Sequence, residues 1–294
     1  MPKPTHHLLV ATSVADIRAQ ASHESELVTQ AVLGSQLRRL KTSRDHKWHQ
    51  VKLPDGYVGW VRGWSILPVS RSQLSAWTAG LDLQVSSRSA PVRERPSEAS
   101  PVVCELVLGT RLPQVKRRKG WVRTVLPDSR SGWLERKHLG RPVSGSPLSG
   151  PGLEAAIVRT ALLFTGAPYL WGGITPWGCD CSGLVQTVYR LNGIDLPRDA
   201  KDQLAWLRER LIAPETKHYR RGDLLFFGRS RRDITHVAIS TGGTSFIHSY
   251  GHVRRGGLKR GQSGYVHEIS RSFRFAARPL RKGKKDVDKK SGLQ

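Results

Sequence analysis

The sequence predicts a multidomain protein in which two small all-β barrels precede one α+β domain. Two stretches of the first half align with each other, and each has short β-branched and aromatic runs between turn residues, as in a small closed sheet. The second half instead gives two helical patterns and then three strand patterns, an order typical of α+β folds. The length permits this division, because 294 residues exceed the roughly 100 to 200 of one domain.

The repeat relates a unit that starts at Ala15 to a unit that starts at Ala90, each expected to hold about five or six strands. Both follow the layout R-x-x-(A or P)-S, then V-L-G-(S or T), then G-W, which resembles bacterial SH3-like domains. The resemblance places the first barrel at residues 10–69 and the second at 84–140. The tryptophans are expected in the barrel core or rim rather than as ligand platforms. The matched positions are Arg18 with Arg93, Gly34 with Gly109, Trp48 with Trp121, and Gly59-Trp60 with Gly132-Trp133.

The stretch R-P-V-S-G-S-P-L-S-G-P-G, residues 141–152, predicts a linker, because it is dense in proline, glycine and serine. The α+β domain is then expected at residues 153–278. Its apolar spacing predicts one helix that ends at Gly166 and another that begins at Cys181 and stops at Gly193. The runs G-D-L-L-F-F, T-H-V-A-I-S-T and S-F-I-H-S-Y predict three strands. Residues 279–294 predict a basic, solvated and mobile tail.

The charge of the chain points to anionic partners. There are 48 Lys and Arg against 23 Asp and Glu, a formal net charge of +25. Nucleic acid, anionic cell-wall polymers and membrane surfaces would all attract such a surface, so charge alone does not choose among them. Nucleic acid is disfavoured, because the basic residues are spread along the chain and no nucleic-acid motif is recognised.

The sequence also bears on localisation. The N-terminal stretch lacks the apolar core of a signal peptide, and no later run approaches the roughly 20 apolar residues that span a bilayer. We therefore expect no membrane span. The expected location is cytoplasmic if the chain is native and full length, and the cell envelope or outside if a leader has been removed.

Cys181 is the first candidate for chemistry. Three cysteines, Cys104, Cys179 and Cys181, make neither an even disulfide framework nor a spaced metal quartet, so at least one thiol is expected to be free. Cys181 follows a glycine-rich turn and opens a predicted helix, where unpaired N–H groups and the helix dipole favour a thiolate. The alternative is a buried structural cysteine, and an isolated Cys would favour it.

Two histidines downstream favour the nucleophile over the structural cysteine as the interpretation of Cys181. His236 and His248 lie in consecutive strand patterns joined by residues 241–243. If these three residues form the hairpin loop, Ser240 pairs with Thr244 and His236 lies opposite His248, with their Cβ atoms roughly 4.5 to 5.5 Å apart. A two-residue loop would break that parity, so the prediction depends on the turn type.

A thiol nucleophile needs a base, and the base needs a third group to fix its tautomer. Cys181, His236 and His248 supply these three roles. A zinc site formed by both histidines with Cys179 and Cys181 is the alternative, but C-x-C lacks the spacing usual for zinc-binding cysteines. We therefore expect no metal and no cofactor, with Cys179 as a small packing residue.

The chain resembles the NlpC-type papain-like cysteine peptidases over about residues 153–275. The resemblance is carried by Y-L-W-G-G-I-T-P-W-G-C-D-C-S-G-L-V-Q, then R-G-D-L-L-F-F, I-T-H-V-A-I and F-I-H-S, in the order that the family shows. The SH3-like repeats and the run L-P-R-D-A-x-x-Q narrow it to enzymes that cleave γ-D-glutamyl to diamino acid bonds in wall peptides. In that subgroup the first SH3-like domain covers part of the cleft and restricts entry to peptides with a free N-terminal L-Ala.

The resemblance implies a role for each matched residue. Cys181 would be the nucleophile, His236 the general base and His248 the orienting third member. Relatives usually carry a bulky apolar residue where this chain has Cys179. The residues implied in substrate binding are Tyr169 beside the thiol, Asp180 and Ser182 on the peptide, and Trp171 and Asp199 in the pocket wall.

The expected partners are peptidoglycan stem peptides or muropeptides, with anionic cell-wall polymers as a further class. Two other functions stay open at this point. One is a non-catalytic or weakly catalytic protein that binds the cell wall through its barrels and its charge. The other is a related amidase or acyltransferase that uses the same cysteine.

Overall fold

The computed structural model describes residues 6–142, 151–213, 216 and 218–279. The chain forms two compact units. The first comprises Met1–Pro142 and Leu170–Gly178, and the second comprises Val143–Tyr169 and Cys179–Gln294. Most of the predicted linker, residues 143–150, and all of the predicted tail after Pro279 lie outside the described residues.

The first β module is a seven-stranded sheet with the strand order β3-β2-β6-β5-β4-β1-β7. Strands such as β2 and β6 alternate buried and more exposed positions, and the inward residues of the sheet, such as Leu8, Ile17, Val51 and Val61, form one core. The strands are β1 His7–Val10, β2 Val14–Arg18, β3 Leu27–Val32, β4 Gln36–Thr42, β5 Trp48–Lys52, β6 Val58–Arg62 and β7 Ile66–Val69.

A short helix, α1 Arg71–Ala79, separates the two β modules. Ser70 and Gln73 cap its start reciprocally, which fixes where the helix begins. Trp77 of this helix donates from Nε1 to the backbone oxygen of Gly34, 3.1 Å away. Leu33 of the first module also packs into the core of the second.

The second β module has a five-stranded sheet, β10-β9-β14-β13-β12, and a three-stranded sheet, β11-β8-β15. Read end to end, this is the strand order of the first module with one strand divided in two. Val92, Leu106, Leu112 and Leu134 are fully buried in its core. The strands are β8 Leu83–Val85, β9 Ser89–Arg93, β10 Val102–Val107, β11 Arg111–Leu112, β12 Lys116–Arg118, β13 Trp121–Val125, β14 Ser131–Glu135 and β15 Leu139–Gly140.

The second compact unit joins helices to an antiparallel sheet of strand order β21-β20-β19-β18-β22. The order of helices before sheet agrees with the predicted pattern. The remaining elements of the chain are α2 Pro151–Leu162, β16 Ile174–Thr175, β17 Gly178–Cys179, α3 Cys181–Leu191, α4 Ala200–Trp206, β18 Leu224–Ser230, β19 Asp233–Gly242, β20 Ser245–Tyr250, β21 His252–Gly257, α5 His267–Arg271 and β22 Phe273–Ala277.

Helix α2 differs from the prediction at both ends. It begins at Pro151, two residues inside the predicted linker, and proline is well tolerated in the first turn of a helix. It ends at Leu162 rather than near Gly166, because the next residues make tighter bonds, such as Leu163 N to Thr160 O and Phe164 N to Ala161 O.

The hairpin between β19 and β20 also differs from the prediction. Ser240 pairs with Phe246 rather than with Thr244, and Gly242 pairs with Ser245, so the loop has two residues. An irregularity between Ser240 and Gly242 inserts one extra residue in β19. That extra residue restores the parity that a two-residue loop alone would break.

Candidate active site

The shifted register still brings the two histidines together. Extending the observed pairing places His236 opposite Tyr250 and leaves His248 as its diagonal neighbour on the same face of the sheet. His236 Nε2 and His248 Nδ1 are 2.9 Å apart, within hydrogen-bond distance. The prediction that the imidazoles are neighbours is correct, although the predicted direct opposition is wrong.

His248 is enclosed by aromatic rings. Its ring stacks on Tyr250 and meets Phe246 edge to face, and the residue is only 1% exposed. Burial, with the positive charges of His236 and Arg254, lowers its pKa to about 3. Its Nε2 has no hydrogen-bond partner among the described residues. His248 is therefore a neutral imidazole near neutral pH, held in one orientation.

Cys181 is the first residue of α3, as predicted. Burial, followed by the negative charge of Asp180, raises the pKa of its thiol to about 12, while backbone hydrogen bonds at Val237 and Ser182 act in the opposite direction. The bond at Val237 places the thiol beside β19, next to His236. Burial lowers the pKa of His236 to about 4. Burial therefore favours the neutral forms of the thiol and the imidazole. The thiolate that the helix start favours stays a prediction.

Asp180 caps α3 from the preceding position. Its Oδ1 accepts from the backbone N–H of Gly183 at 2.6 Å and from the hydroxyl of Ser182 at 3.2 Å. Arg198 donates to both carboxylate oxygens, at 3.1 and 2.5 Å, and to the Ser182 hydroxyl at 2.9 Å. All three side chains are buried. The two residues predicted to bind substrate are thus held in fixed positions by one arginine.

Arg198 was not singled out from the sequence. It lies in the quoted run L-P-R-D, and the residue type gave a signal there, because an arginine requires a charged partner if it is buried. Its side chain is only 3% exposed. What the sequence lacks is the fold that brings Arg198 to Asp180, which lies 18 residues earlier.

The other three predicted pocket residues lie in different parts of the structure. Tyr169 pairs with Cys179, is 38% exposed, and has its pKa raised by burial and then by the charges of Cys181 and Asp180. Asp199 is the N-cap residue of α4, directly after Arg198. Trp171 belongs to the first compact unit, where its Nε1 donates to Glu26 Oε1 at 2.6 Å.

Cys179 is fully buried, as a packing residue would be. Burial raises the pKa of its thiol to about 12, and its backbone oxygen accepts from the Ser249 hydroxyl at 2.7 Å. Among the described residues, no group of three or more His, Cys, Asp or Glu side chains is placed to hold a metal ion. No helix within the described ranges is long and apolar enough to cross a membrane.

A cysteine at a helix start, facing a strand whose histidine is oriented by a second imidazole, is the arrangement of a cysteine peptidase. Comparison with known proteins shows which family of cysteine peptidases the chain matches. Residues 166–271 match the NlpC/P60 family model, and residues 17–65 match the model of the bacterial dipeptidyl-peptidase SH3 domain. The chain therefore carries an NlpC/P60 cysteine peptidase domain behind an SH3 domain of this kind.

Several known proteins are similar over most of the chain. The γ-D-glutamyl-L-lysine dipeptidyl-peptidase of Bacillus cereus is 28% identical over 80% of this chain and 70% of its own length. The Bacillus subtilis protein of the same name is 29% identical over 80% of this chain and 76% of its own. The crystal structure of an NlpC/P60 family protein from Bacillus cereus has a TM-score of 0.76, with 21% identity, and covers 94% of this chain and 100% of that one. The last comparison supports the fold.

Proposed function

We propose that this protein hydrolyses the γ-D-glutamyl to diamino acid bond of peptidoglycan stem peptides. The similarity to two γ-D-glutamyl-L-lysine dipeptidyl-peptidases over 80% of the chain supports the substrate class. The 2.9 Å contact between His236 and His248, in the strand next to the thiol, is the observation that carries the chemistry. A dipeptidyl-peptidase removes two residues from a chain end, so the proposed substrates have a free N-terminal L-Ala.

The directions of the two pKa shifts favour a general-base mechanism. Because burial raises the pKa of Cys181 and lowers that of His236, His236 takes the thiol proton as sulfur attacks the γ-carbonyl carbon of D-Glu. Its Nε2 then bears hydrogen and donates to His248 Nδ1, which leaves Nδ1 of His236 to receive the proton. Backbone N–H groups at the start of α3 stabilise the oxyanion. His236 returns the proton to the leaving amine, and water hydrolyses the acyl-enzyme.

The buried carboxylate network positions the substrate. Asp180 and Ser182 are proposed to bind the peptide, and Arg198 holds both in place. Tyr169, half-exposed beside the thiol, is proposed to contact the reacting carbonyl. Trp171 and Asp199 are also proposed, from the family resemblance, to contribute to the pocket wall.

The finer domain assignment is also a proposal. We assign residues 10–69 and 84–140 to two SH3-like barrels and 153–278 to a papain-like catalytic domain. The common strand order of the two β modules supports the second barrel, since it is the order of the module that the SH3 family model matches. Anionic cell-wall polymers are proposed as partners of the +25 chain.

Two cysteine variants test the nucleophile. Cys181→Ala should lower release of the diamino acid from L-Ala-γ-D-Glu-diamino acid by at least about 10³-fold, the scale expected when a nucleophile is removed. Cys179→Ala, a buried thiol two residues away, is the matched control and should keep activity within about threefold, a range set by its packing role. Equal activity of Cys181→Ala and wild type would refute the proposal.

Substrate form and pH give two further tests. An N-acylated peptide and intact peptidoglycan should be cleaved more slowly than the free peptide, and faster cleavage of either would contradict the proposed end preference.

The value of kcat/KM should fall as the pH drops through about 4, because protonated His236 cannot accept a proton. A value of kcat/KM that stays constant as the pH drops through about 4 would contradict the general-base step.

A further inference from the structure

The second compact unit contains a cavity of about 380 Å³ that no step of the proposed reaction uses. One face of α2 forms its wall, with side chains three and four residues apart, and loop and strand residues complete it. The lining residues are Ala155, Val158, Arg159, Leu162, Arg221, Thr241 and Arg255. Three of these seven are arginines, and each comes from a different part of the fold.

The cavity lies on the other side of the sheet from the histidine pair. In the β20–β21 ladder, His248 pairs with Arg254 and Ile247 pairs with Arg255. Neighbouring residues in a strand point to opposite faces. Arg255 therefore faces away from the side that carries His248, and the cavity is separate from the candidate active site.

The three arginines have no ion-pair partner among the described residues. The carboxylate nearest to Arg221 in sequence, Asp223, is already bound by Arg278 through two bonds of 2.8 Å. Glu154 precedes the lining residues of α2, and its charge acts on Tyr189 and Arg278. The charges of Arg159, Arg221 and Arg255 are therefore available to a ligand.

We infer that this cavity binds the phosphate group of a phosphate ester. A guanidinium group forms paired hydrogen bonds with phosphate or carboxylate oxygens. Three guanidinium groups that approach from separate elements suit a tetrahedral dianion with three free oxygens better than a planar carboxylate with two. Leu162 and Val158 add an apolar wall, which suits the carbon skeleton of an ester rather than free phosphate.

Binding to full-length protein tests the inference. Wild type should bind glycerol 3-phosphate measurably in isothermal titration calorimetry, and the double variant Arg221→Gln/Arg255→Gln should bind at least about tenfold more weakly, as expected when charge-assisted hydrogen bonds are removed. The matched control is Arg232→Gln, an exposed arginine of the same unit outside the cavity. It should change the affinity by less than about twofold, because Arg232 does not line the cavity and an exposed charge in solvent is screened by salt.

Poly(glycerol phosphate) is the second probe and distinguishes the source of the ester. If the double variant loses affinity for the polymer as well, the site accepts a phosphodiester, which has one charge and two free oxygens, and the preference for a dianion with three free oxygens is overturned. If it loses only glycerol 3-phosphate, the site takes small monoesters. Absent binding of both probes to wild type, unchanged affinity in the double variant, or equal affinity for succinate would each overturn the inference.

A measurement on unmodified protein covers the case in which the variants fold poorly. Phenylglyoxal modifies accessible arginines, and mass spectrometry locates the adducts. Glycerol 3-phosphate should slow modification of Arg159, Arg221 and Arg255 while leaving Arg232 unchanged. Equal rates with and without the ligand would overturn the inference. The Cys181→Ala variant should keep this protection, which separates the outcome from failure of the proposed peptidase function.

Discussion

The two β modules share a strand order, and they keep the same contacts at the positions that define it. Arg18 donates from Nη1 to the backbone oxygen of Ser25 at 2.6 Å, and the matched Arg93 donates to Ser100 at 2.7 Å. Gly59 and Gly132 each lie where a Cβ atom would meet the neighbouring strand within 3 Å. Arginine and glycine therefore persist at these matched positions because the architecture requires them.

The two modules differ in the continuity of their fourth strand and in one exposed aromatic residue. The fourth strand of the first is continuous, whereas Pro113 interrupts its counterpart between β11 and β12, as expected of a residue that cannot donate to a ladder. The first module carries an exposed Trp64, with the Arg62 guanidinium 4.3 Å from its ring centroid. The second has Lys137 at the corresponding position of the repeat.

The first module also holds the segment Leu170–Gly178, which is distant in sequence. Trp171 donates to Glu26, and the backbone N–H of Ile174 donates to Gln30 Oε1 at 3.3 Å. All of these contacts are made at or beside β3. The comparison shows that the residues common to both modules maintain the sheet. Residues found only in the first module bind the segment Leu170–Gly178, which comes from the peptidase part of the sequence.

The largest expected difference in stability loss between the two modules is at the matched tryptophans, Trp48 and Trp121. Trp48 is 4% exposed and Trp121 is half-buried. Trp48→Ala should cost about 3 to 5 kcal/mol in the stability of its module, and Trp121→Ala should cost clearly less, because it removes less buried surface. Hydrogen exchange measured peptide by peptide reports each module separately. Equal losses would show that the two modules are closer equivalents than their burial indicates.

The matched glycines should give the next effect. A Cβ at Gly132 would lie 2.7 Å from the backbone oxygen of Arg93, whereas at Gly59 the oxygen of Arg18 is 3.0 Å away. Each Gly→Ala change should cost about 1 to 3 kcal/mol by overpacking, with the larger loss at Gly132. Thermal unfolding followed with module-specific exchange measures this. Gly120→Ala in the second module, where nothing lies within 4 Å but the backbone is left-handed, measures the separate cost of backbone strain, which neither Gly59 nor Gly132 carries.

Removing the matched arginines should have a smaller and more equal effect. Arg18→Met and Arg93→Met each delete a side-chain bond to a backbone oxygen while keeping most of the apolar stem. Arg18→Met also removes an exposed 3.3 Å contact with Asp16, of a kind that contributes little to stability. Each should destabilise its own module by about 1 kcal/mol, the net value of such a bond. Exchange protection at Ser25 and Ser100 would report the loss, and an effect in one module only would break the structural equivalence.

The smallest effect is expected at the segment that the first module holds. Glu26→Gln keeps the shape but weakens the bond from Trp171, so exchange of residues 170–178 should rise about two- to threefold, as for an exposed pair worth about 0.5 kcal/mol. Glu98→Gln, at an exposed acid of the second module, is the control. A rise in exchange throughout the first module instead would indicate a role for Glu26 in the sheet.

Local patterns predicted much of the candidate site. A helix beginning at Cys181 followed from its glycine-rich approach, and the shared face of His236 and His248 followed from strand alternation. The register between them did not, because one extra residue in β19 leaves no signal in the alternation of a run this short. The burial that raises the pKa of Cys181 did not follow either, because it depends on distant elements that pack against the start of the helix.

The sequence by itself determined the repeated β unit, the order of helices before sheet, and the residue types of the candidate site, because these depend on short-range periodicity and turn chemistry. Only the tertiary structure decided that Arg198 holds Asp180 and Ser182, that Trp171 joins the first compact unit, and that three arginines share a cavity. Those outcomes depend on which elements, distant in sequence, come into contact. Neither strand alternation nor helical spacing specifies such contacts.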